Sequence, residues 1–276
     1  MKKIVTLAVV VMMVAAMAAG CGTKAKDPGR DAVSGEDTSL QDIKDKGKFV
    51  LGLDDSFPPM GFKDENNNIV GFDIDTAKEV CSRLGVELVI QPIEWDAKEQ
   101  ELATKNIDCI WNGMSYNDER NESMQLSEPY MTNTQVAVVL NDSPVQKLED
   151  LAGKTVVIQN GSTASDAMDD NAEFRDSLKK LVKVGDNVQA MMDLKVAGSD
   201  AVVMDKVVAL YYMDKEEDVY RVLDETLADE QYVIGFRKGD VSLCREVEKI
   251  LKDMAADGTL AKISEQWFGN DITTIK

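Results

Sequence analysis

The sequence contains no histidine among its 276 residues. Without histidine the chain can form neither a Ser-His-Asp nor a Cys-His nucleophilic system, and it offers no imidazole ligand to a metal ion. Catalytic and metal centres that depend on histidine are therefore excluded. We expect neither a cofactor nor a metal site. Segment 64–75 has acidic and amide residues at calcium-loop offsets, but Ile69 replaces the required glycine, so we interpret the segment as a hairpin turn.

Cysteines are few and widely separated. The chain has four, and none belongs to a Cys-x-x-Cys pair, so neither a redox motif nor a zinc site is indicated. Cys81 lies in a helical pattern and Cys109 in a strand-like one, which suits small buried side chains. We predict that Cys81, Cys109 and Cys244 are free, buried thiols. A Cys81–Cys109 disulfide stays open as an alternative, because cysteine spacing cannot establish connectivity.

Basic residues are outnumbered by acidic ones: 31 Lys and Arg stand against 50 Asp and Glu, which gives a net charge of -19. Binding to nucleic acid requires clusters of Lys and Arg that compensate the phosphates. The sequence has no such cluster, so a nucleic-acid partner is not expected. The negative charge indicates a soluble surface and says little about the ligand.

The first 20 residues have a charged start followed by an apolar stretch that is short for a membrane span, which is the layout of a signal peptide. The stretch ends in Ala18-Ala19-Gly20-Cys21, which resembles the lipobox of bacterial lipoproteins. That resemblance implies that Cys21 becomes the lipidated N-terminus and carries acyl chains such as palmitate. An ordinary signal peptide followed by a chance cysteine is the alternative.

Residues 21–39 are polar, contain Gly, Pro and Ser, and lack apolar periodicity, which predicts a flexible tether. The folded body then extends from residue 40 to residue 276. Together with Cys21, this organisation predicts an extracytoplasmic protein anchored to the cell membrane by a lipid.

The folded body alternates strand-like and helix-like segments, a rhythm that predicts an α/β fold with parallel sheets and crossover helices. Two stretches place an apolar helix, a polar turn and an Asp-led strand in the same order, which indicates two similar lobes with ligand crevices at the carboxyl ends of their strands. The two stretches are AKEQELATKNIDCIW and VQAMMDLKVAGSDAVVMD. The strand-like segments are KFVLGL, LVIQPI, DCIWNG, QVAVVL, TVVIQN, DAVVMD and YVIGF, and the longest helix-like segments span 162–180 and 242–268.

Two strand-like segments connect the predicted lobes. EPYMTNTQVAVVLND leaves the first lobe and ADEQYVIGFRKGD returns to it. We therefore predict that residues 40–131 and 234–276 form lobe 1, that residues 132–233 form lobe 2, and that two hinge strands join them.

Residues 111–120, WNGMSYNDER, place an arginine after a run of small and polar residues. We expect residues 112–115 to form a turn at the carboxyl end of a strand, and Asn117 to cap the helix that follows. Backbone N–H groups at such a junction suit an anion, and Arg120 adds two parallel hydrogen bonds that fit a carboxylate. The alternative is that Arg120 pairs with the acidic residues around it.

Two further positions lie at the end of a strand and could also bind a charged group. Residues 161–165 form a second small-residue turn between a strand and a helix, without the Gly-Lys-Ser/Thr ending of a nucleotide-binding P-loop. Asp205 lies at the end of a strand, where its carboxylate is available either to a cation or as a cap of the next helix.

Five stretches of the folded body, in order, resemble the polar amino-acid substrate-binding proteins of bacterial ABC importers, which have a two-lobed periplasmic-binding-protein fold. These stretches are VLGLDDSFPPMGFKDENNNIVGFDIDTAKEV, NIDCIWNGMSYNDERNESMQLSEPYM, LAGKTVVIQNGSTAS, SDAVVMDKVVA and DGTLAKISEQWFG.

The resemblance implies a role for each charged residue singled out above. Arg120 would clamp the α-carboxylate of an amino acid, together with the amides of Gly113, Ser115 and Thr163 and the Ser115 hydroxyl. Asp205 would take the α-ammonium. A zwitterion buried between lobes needs both charges paired, because an unpaired charge out of water is costly.

The resemblance also implies the contacts of the ligand side chain. Phe57 and Trp95 would form the walls of an apolar slot, while Asp54 would meet a side-chain donor. Gln159, close to the second turn, would pair with an amide. Glutamine or a basic amino acid is therefore favoured, and glutamate or aspartate is not.

The resulting hypothesis is a monomeric binding protein, not an enzyme, that captures a polar L-amino acid by closure of its lobes and delivers it to the permease of an ABC transporter. One rival is a sensory lipoprotein that binds without transport. Another is a dehydratase-like enzyme on the same scaffold, which the lack of histidine disfavours.

Overall fold

The computed structural model describes residues 37–276 of the chain. The predicted signal peptide, Cys21 and most of the predicted tether lie outside this range. Within residues 37–276, no helix is both long and apolar enough to cross a membrane.

The described chain alternates strands and helices, as expected for the α/β class. The strands are β1 Lys48–Leu53, β2 Ser56–Phe57, β3 Gly61–Lys63, β4 Ile69–Val70, β5 Glu87–Pro92, β6 Cys109–Ser115, β7 Met124–Leu126, β8 Met131–Leu140, β9 Thr155–Gln159, β10 Lys180–Val184, β11 Ala201–Asp205 and β12 Tyr220–Arg237. The α-helices are α1 Ser39–Lys46, α2 Phe72–Leu84, α3 Lys98–Ala103, α4 Asp118–Ser123, α5 Thr163–Asp170, α6 Ala172–Ser177, α7 Asn187–Lys195, α8 Lys206–Lys215, α9 Val241–Ala256 and α10 Thr259–Phe268. Short 3-10 helices cover Trp95–Ala97 and Leu148–Leu151.

One large sheet contains two groups of parallel strands. Its order is β10-β9-β11-β8-β12-β6-β1-β5, with β7 paired to β12. Strands β5, β1 and β6 are mutually parallel, and so are β10, β9 and β11. Between the two groups lie β8 and β12, which pair antiparallel to each other. These two central strands overlap the segments predicted as hinge strands, while the lobe boundaries themselves stay a prediction.

The pattern of buried side chains explains why these segments form strands or helices. Every residue of β6 and of β11 is buried, as expected for strands covered on both faces by helices. Helix α9 instead buries residues three and four positions apart, which is the pattern of one apolar stripe. The three cysteines of the described range are free and buried, as predicted.

The local predictions failed where a turn residue interrupts an apolar pattern. The single helix predicted over 242–268 is two helices, because Gly258 adopts φ +80° between them. The helix predicted over 162–180 divides into α5 and α6, and its end enters β10, a strand that the pattern analysis missed. The hairpin predicted within segment 64–75 is confirmed, since β3 and β4 pair antiparallel across Asp64–Asn68 hydrogen bonds.

The expected turn over residues 112–115 is wrong, because strand β6 continues through Ser115. Gly113 adopts φ +57° within this strand, a conformation open to glycine, and its N–H points to the side chain of Asp73 at the start of α2. Asp73 is fully buried and accepts hydrogen bonds from Trp111 Nε1 at 3.2 Å, Gly113 N at 2.7 Å and Tyr130 Oη at 3.0 Å. Burial raises the pKa of Asp73 to about 7.

This buried carboxyl predicts a pH-dependent stability. Because the folded state binds a proton at Asp73 up to about pH 7 and the unfolded state releases it near pH 3.8, stability falls as pH rises between these values. We expect Asp73→Asn to weaken this pH dependence in thermal melts from pH 4.5 to pH 7.5. The substitution also lowers the free energy of unfolding by about 1–3 kcal/mol, because buried donors lose an acceptor.

The exposed Asp142 provides the matched control. Asp142→Asn is expected to keep both the melting temperature and the pH dependence of the unmodified protein. Equal pH slopes in Asp73→Asn and Asp142→Asn would contradict the assignment of a protonated carboxyl to Asp73.

Candidate ligand-binding site

A cavity lies where the carboxyl ends of β6, β9 and β11 approach one another. Its free volume is small, about 10 Å³, well below the volume of sites that hold a small molecule. Eight predicted contact residues line it, and Ser162 joins them. The lining residues are Phe57, Trp95, Gly113, Ser115, Arg120, Gln159, Ser162, Thr163 and Asp205.

Arg120 provides the positive charge of the cavity. Asn117 caps α4 as predicted, since its side-chain oxygen accepts from Arg120 N at 2.8 Å. The Arg120 side chain is buried; Nη1 donates to the Ser115 carbonyl at 2.6 Å and Nη2 to the Gly161 carbonyl at 3.3 Å. Within residues 37–276, no carboxylate oxygen lies within 4.0 Å of its guanidinium. The alternative of a local ion pair is therefore not observed, and N–H donors remain for an anion.

Asp205 provides a negative charge in the same cavity. It occupies the N-cap position of α8 but makes no side-chain cap. Its Oδ1 instead accepts from Asn133 Nδ2 at 2.6 Å and from Tyr232 Oη at 2.8 Å. Burial, and then the charge of Glu230, raise the pKa of Asp205 well above its ordinary value. A cation beside Asp205 would favour its ionised form.

Glu230 extends this acidic end and was missed by the sequence analysis. Its Oε2 accepts from Ser115 Oγ at 2.7 Å, Asn133 Nδ2 at 2.8 Å and Gln135 Nε2 at 3.0 Å. The amide oxygens of Asn133 and Gln135 are buried and meet no donor in the described part of the chain. Two carboxylates and two amide oxygens therefore form an environment that accepts a cation.

These missed residues come from the two central strands. Asn133 and Gln135 alternate along β8, and Glu230 and Tyr232 alternate along β12. Period-two spacing of polar residues would have indicated one polar strand face, but not which residues of the two strands meet. The register Glu230↔Asn133 decides that pairing.

Gly113 supplies space and not an anion donor. Its N–H donates to Asp73, so this amide is committed to the protein. A Cβ at this position would lie 2.8 Å from Phe57 Cε1 and 3.1 Å from Tyr232 Cε2. Glycine is therefore required both by φ +57° and by the rings that pack on it.

The cavity has two aromatic walls, and the predicted contact residue Asp54 lies behind its lining, in contact with Gln159. Phe57 and Trp95 are buried and line the cavity, as predicted. Asp54 is also buried; its Oδ2 accepts from Gln159 Nε2 at 2.7 Å, and burial raises its pKa to about 6. The neighbouring Asp55 faces away and pairs with Lys63. Asp54 therefore contacts a lining residue, Gln159, whereas Asp55 pairs with Lys63.

Gln159 and Thr163 belong to the segment that enters α5. Besides Asp54, Gln159 Nε2 also contacts the Gly185 carbonyl at 3.1 Å, and Gln159 Oε1 accepts from Asn187 Nδ2 at 3.2 Å. All polar groups of this side chain therefore have protein partners. Thr163 is the first residue of α5, and its hydroxyl lies 3.5 Å from Gln135 Nε2.

Comparison with known proteins identifies the family of the chain. Residues 49–270 match the bacterial extracellular solute-binding proteins, family 3. The chain is 30% identical over 236 residues to the L-cystine-binding protein TcyJ of Escherichia coli, a match that covers 85% of this chain and 87% of that protein. It is 31% identical over 226 residues to the arginine-binding extracellular protein ArtP of Bacillus subtilis, covering 81% and 87%.

The fold has a solved counterpart. An ABC uptake transporter substrate-binding protein from Streptococcus pneumoniae with bound histidine superposes with a TM-score of 0.83 at 34% identity, covering 86% of this chain and 98% of that one. The fold and site thus define a periplasmic-binding-protein-like solute-binding protein. The chain belongs to the bacterial extracellular solute-binding proteins, family 3.

The geometry around Gly113 predicts the effect of adding one methyl group. We expect Gly113→Ala to destabilise the protein by about 1–3 kcal/mol more than Gly153→Ala, because only the Gly113 methyl collides with aromatic rings. Gly153 has a similar positive φ of +72° with open space around it, so it measures the backbone cost alone. Denaturant unfolding provides the comparison, and equal losses would refute the crowding at Gly113.

Proposed function

We propose that this protein captures a polar L-amino acid outside the cytoplasm and delivers it to the permease of an ABC transporter. The observation that carries the proposal is the pair of opposite charges, Arg120 and Asp205, that line one cavity. Relatives named for binding cystine and arginine, and a similar structure with bound histidine, support this class of ligand.

In this proposal, each end of the cavity recognises one charge of the zwitterion. The α-carboxylate accepts the remaining N–H donors of Arg120, in charge-assisted bonds that are stronger than neutral ones. The α-ammonium lies beside Asp205, with Glu230 and the orphan amide oxygens of Asn133 and Gln135 close by. An uncharged or singly charged molecule would leave one buried charge unpaired, which disfavours its binding.

Asp54 supports glutamine or a basic amino acid as the preferred ligand. It is buried next to the lining residue Gln159, and burial raises its pKa to about 6. Its Oδ1 accepts from Ser56 N at 2.9 Å and its Oδ2 from Gln159, so a cationic or amide side chain that reached Asp54 would use a remaining lone pair, while a carboxylate side chain would be repelled. Glutamate and aspartate are therefore the expected weak ligands.

Closure of the two predicted lobes would follow from contacts that span residues 40–131 and 132–233. Asp54 binds Gln159, Asn117 Nδ2 lies 2.8 Å from Asp166 Oδ2, and Asn160 Nδ2 lies 2.9 Å from Asp96 Oδ2. A ligand that touches residues of both predicted lobes stabilises the closed arrangement over an open one. The permease would then receive the closed, loaded protein.

We further propose that the protein binds without chemical turnover and acts as a monomer. The cavity of the described chain places Arg120 and Asp205 as groups of opposite charge along one lining, an arrangement suited to recognition of a zwitterion. Conversion of a bound amino acid, followed by NMR, would instead support the dehydratase-like rival. Loss of amino-acid uptake on deletion of the gene distinguishes transport from a purely sensory role.

Calorimetry against the twenty amino acids tests the proposed function. We expect glutamine, arginine, lysine or histidine to bind with a Kd of about 1 µM or tighter, about -8 kcal/mol. Arg120→Met should reduce this affinity by about 3–5 kcal/mol, because the ligand carboxylate loses its buried partner. Arg175→Met is the control, since Arg175 lies in α6 and pairs with exposed Asp169 and Asp176. Heat from none of the amino acids would refute the proposal.

The lipid anchor at Cys21 is a separate proposal, supported by the lipobox-like ending at residues 18–21. We expect Cys21→Ser to move the protein from the membrane fraction to the medium, because the acylated thioether can no longer form. Thr23→Ser serves as the control and should stay with the membrane. Membrane retention of Cys21→Ser in fractionated cells would contradict anchoring.

A further inference from the structure

Lys98, at the start of α3, is a buried cation that neither the family resemblance nor the cavity lining assigns. Its side chain is 4% exposed. Nζ donates to the Trp95 carbonyl at 3.2 Å and to the Gly161 carbonyl at 3.1 Å, and it lies 5.0 Å from the centre of the Trp95 ring. Lysine is almost never buried to this extent unless it is paired.

The partners of Lys98 are neutral. In residues 37–276, no carboxylate oxygen lies within 4.0 Å of its ammonium; Glu99, Asp166 and Asp96 act only at longer range, and Arg120 repels it. Burial, followed by the Arg120 charge, lowers the pKa of Lys98 to about 8. Two buried cations therefore stand together on one side of the cavity without a carboxylate between them.

Both cations bind the same carbonyl oxygen. Gly161 O accepts from Lys98 Nζ at 3.1 Å and from Arg120 Nη2 at 3.3 Å. Gly161 has φ +68°, and a Cβ there would lie 3.1 Å from Asp96 Cα, so this backbone packs directly on the turn that carries Lys98. The residues that follow, Ser162 and Thr163, line the cavity. Lys98 and Arg120 are therefore linked through the carbonyl that precedes α5.

We propose that Lys98 is a positioning residue for the carboxylate of the ligand. Its ammonium places the Gly161 carbonyl so that residues 161–163 close over a carboxylate bound to Arg120, and the carboxylate in turn compensates both cations. Lys98 would act through Gly161 and Arg120, since it does not line the cavity itself. This inference rests on the proposed function.

The test compares ligands with and without the carboxylate. We would titrate L-arginine against L-argininamide, and L-glutamine against L-glutaminamide, in which a neutral amide replaces the α-carboxylate. Lys98→Met keeps an apolar chain of similar length against Trp95 and removes the charge, while Lys98→Arg keeps the charge. We expect Lys98→Met to weaken the acid by about 10- to 100-fold, to change the amide little, and so to reduce the acid-over-amide preference; Lys98→Arg should restore part of it.

Stability separates positioning from simple packing. Removal of a buried charge that lacks a carboxylate partner should leave the melting temperature of the ligand-free protein unchanged or higher. A fall in melting temperature with an unchanged acid-over-amide preference would overturn the inference and assign Lys98 a packing role. If Arg120→Met abolishes binding while Lys98→Met keeps the full preference, only the Lys98 inference fails. If Arg120→Met has no effect, the proposed function itself fails.

Discussion

The buried guanidinium of Arg120 is the constraint on which the site depends. It makes hydrogen bonds to the carbonyls of Ser115 and Gly161 and meets no carboxylate among residues 37–276. Burial of such a charge is costly unless it is compensated. The surrounding structure is organised accordingly: Asn117 caps the helix that carries Arg120, β6 presents Ser115, and the α5 segment presents Gly161. In the proposed function, the ligand carboxylate supplies the missing compensation.

The buried acidic groups of the site also need a compensating charge, which in their case is a cation. Burial raises the pKa of Asp54 and Asp205, so their ionised forms are disfavoured while they lack a cation. Asp73, below the site, has a different task, because its three donors hold β6 in the conformation that brings Gly113 under Phe57. In the proposed function, a zwitterion brings a cation to these acidic groups as well as an anion to Arg120.

Local patterns predicted the features that depend on neighbours along the chain. Asn117 caps α4, Asp205 ends β11, and the glycine-containing segment at 161–165 enters α5, all as expected. The failures have a physical reason as well. The turn expected over 112–115 is a strand, because Met114 and Ser115 pair with β12, which is distant in sequence. Glu230 and Lys98 escaped notice, because their partners are distant in sequence and a polar residue in a strand or helix usually faces solvent.

Residue types and their order were enough to establish the α/β class, the terminal processing signals as predictions, and the charged residues that merit attention. These properties depend on periodicity, capping and composition, which are local. The tertiary structure decided which charges meet: that Arg120 has no carboxylate partner among residues 37–276, that Asp54 and not Asp55 contacts the lining residue Gln159, and that Glu230 stands beside Asp205. These facts depend on strand register and burial. The free energy of a charged side chain is determined by its desolvation and by its neighbours, and only folding brings those neighbours within reach.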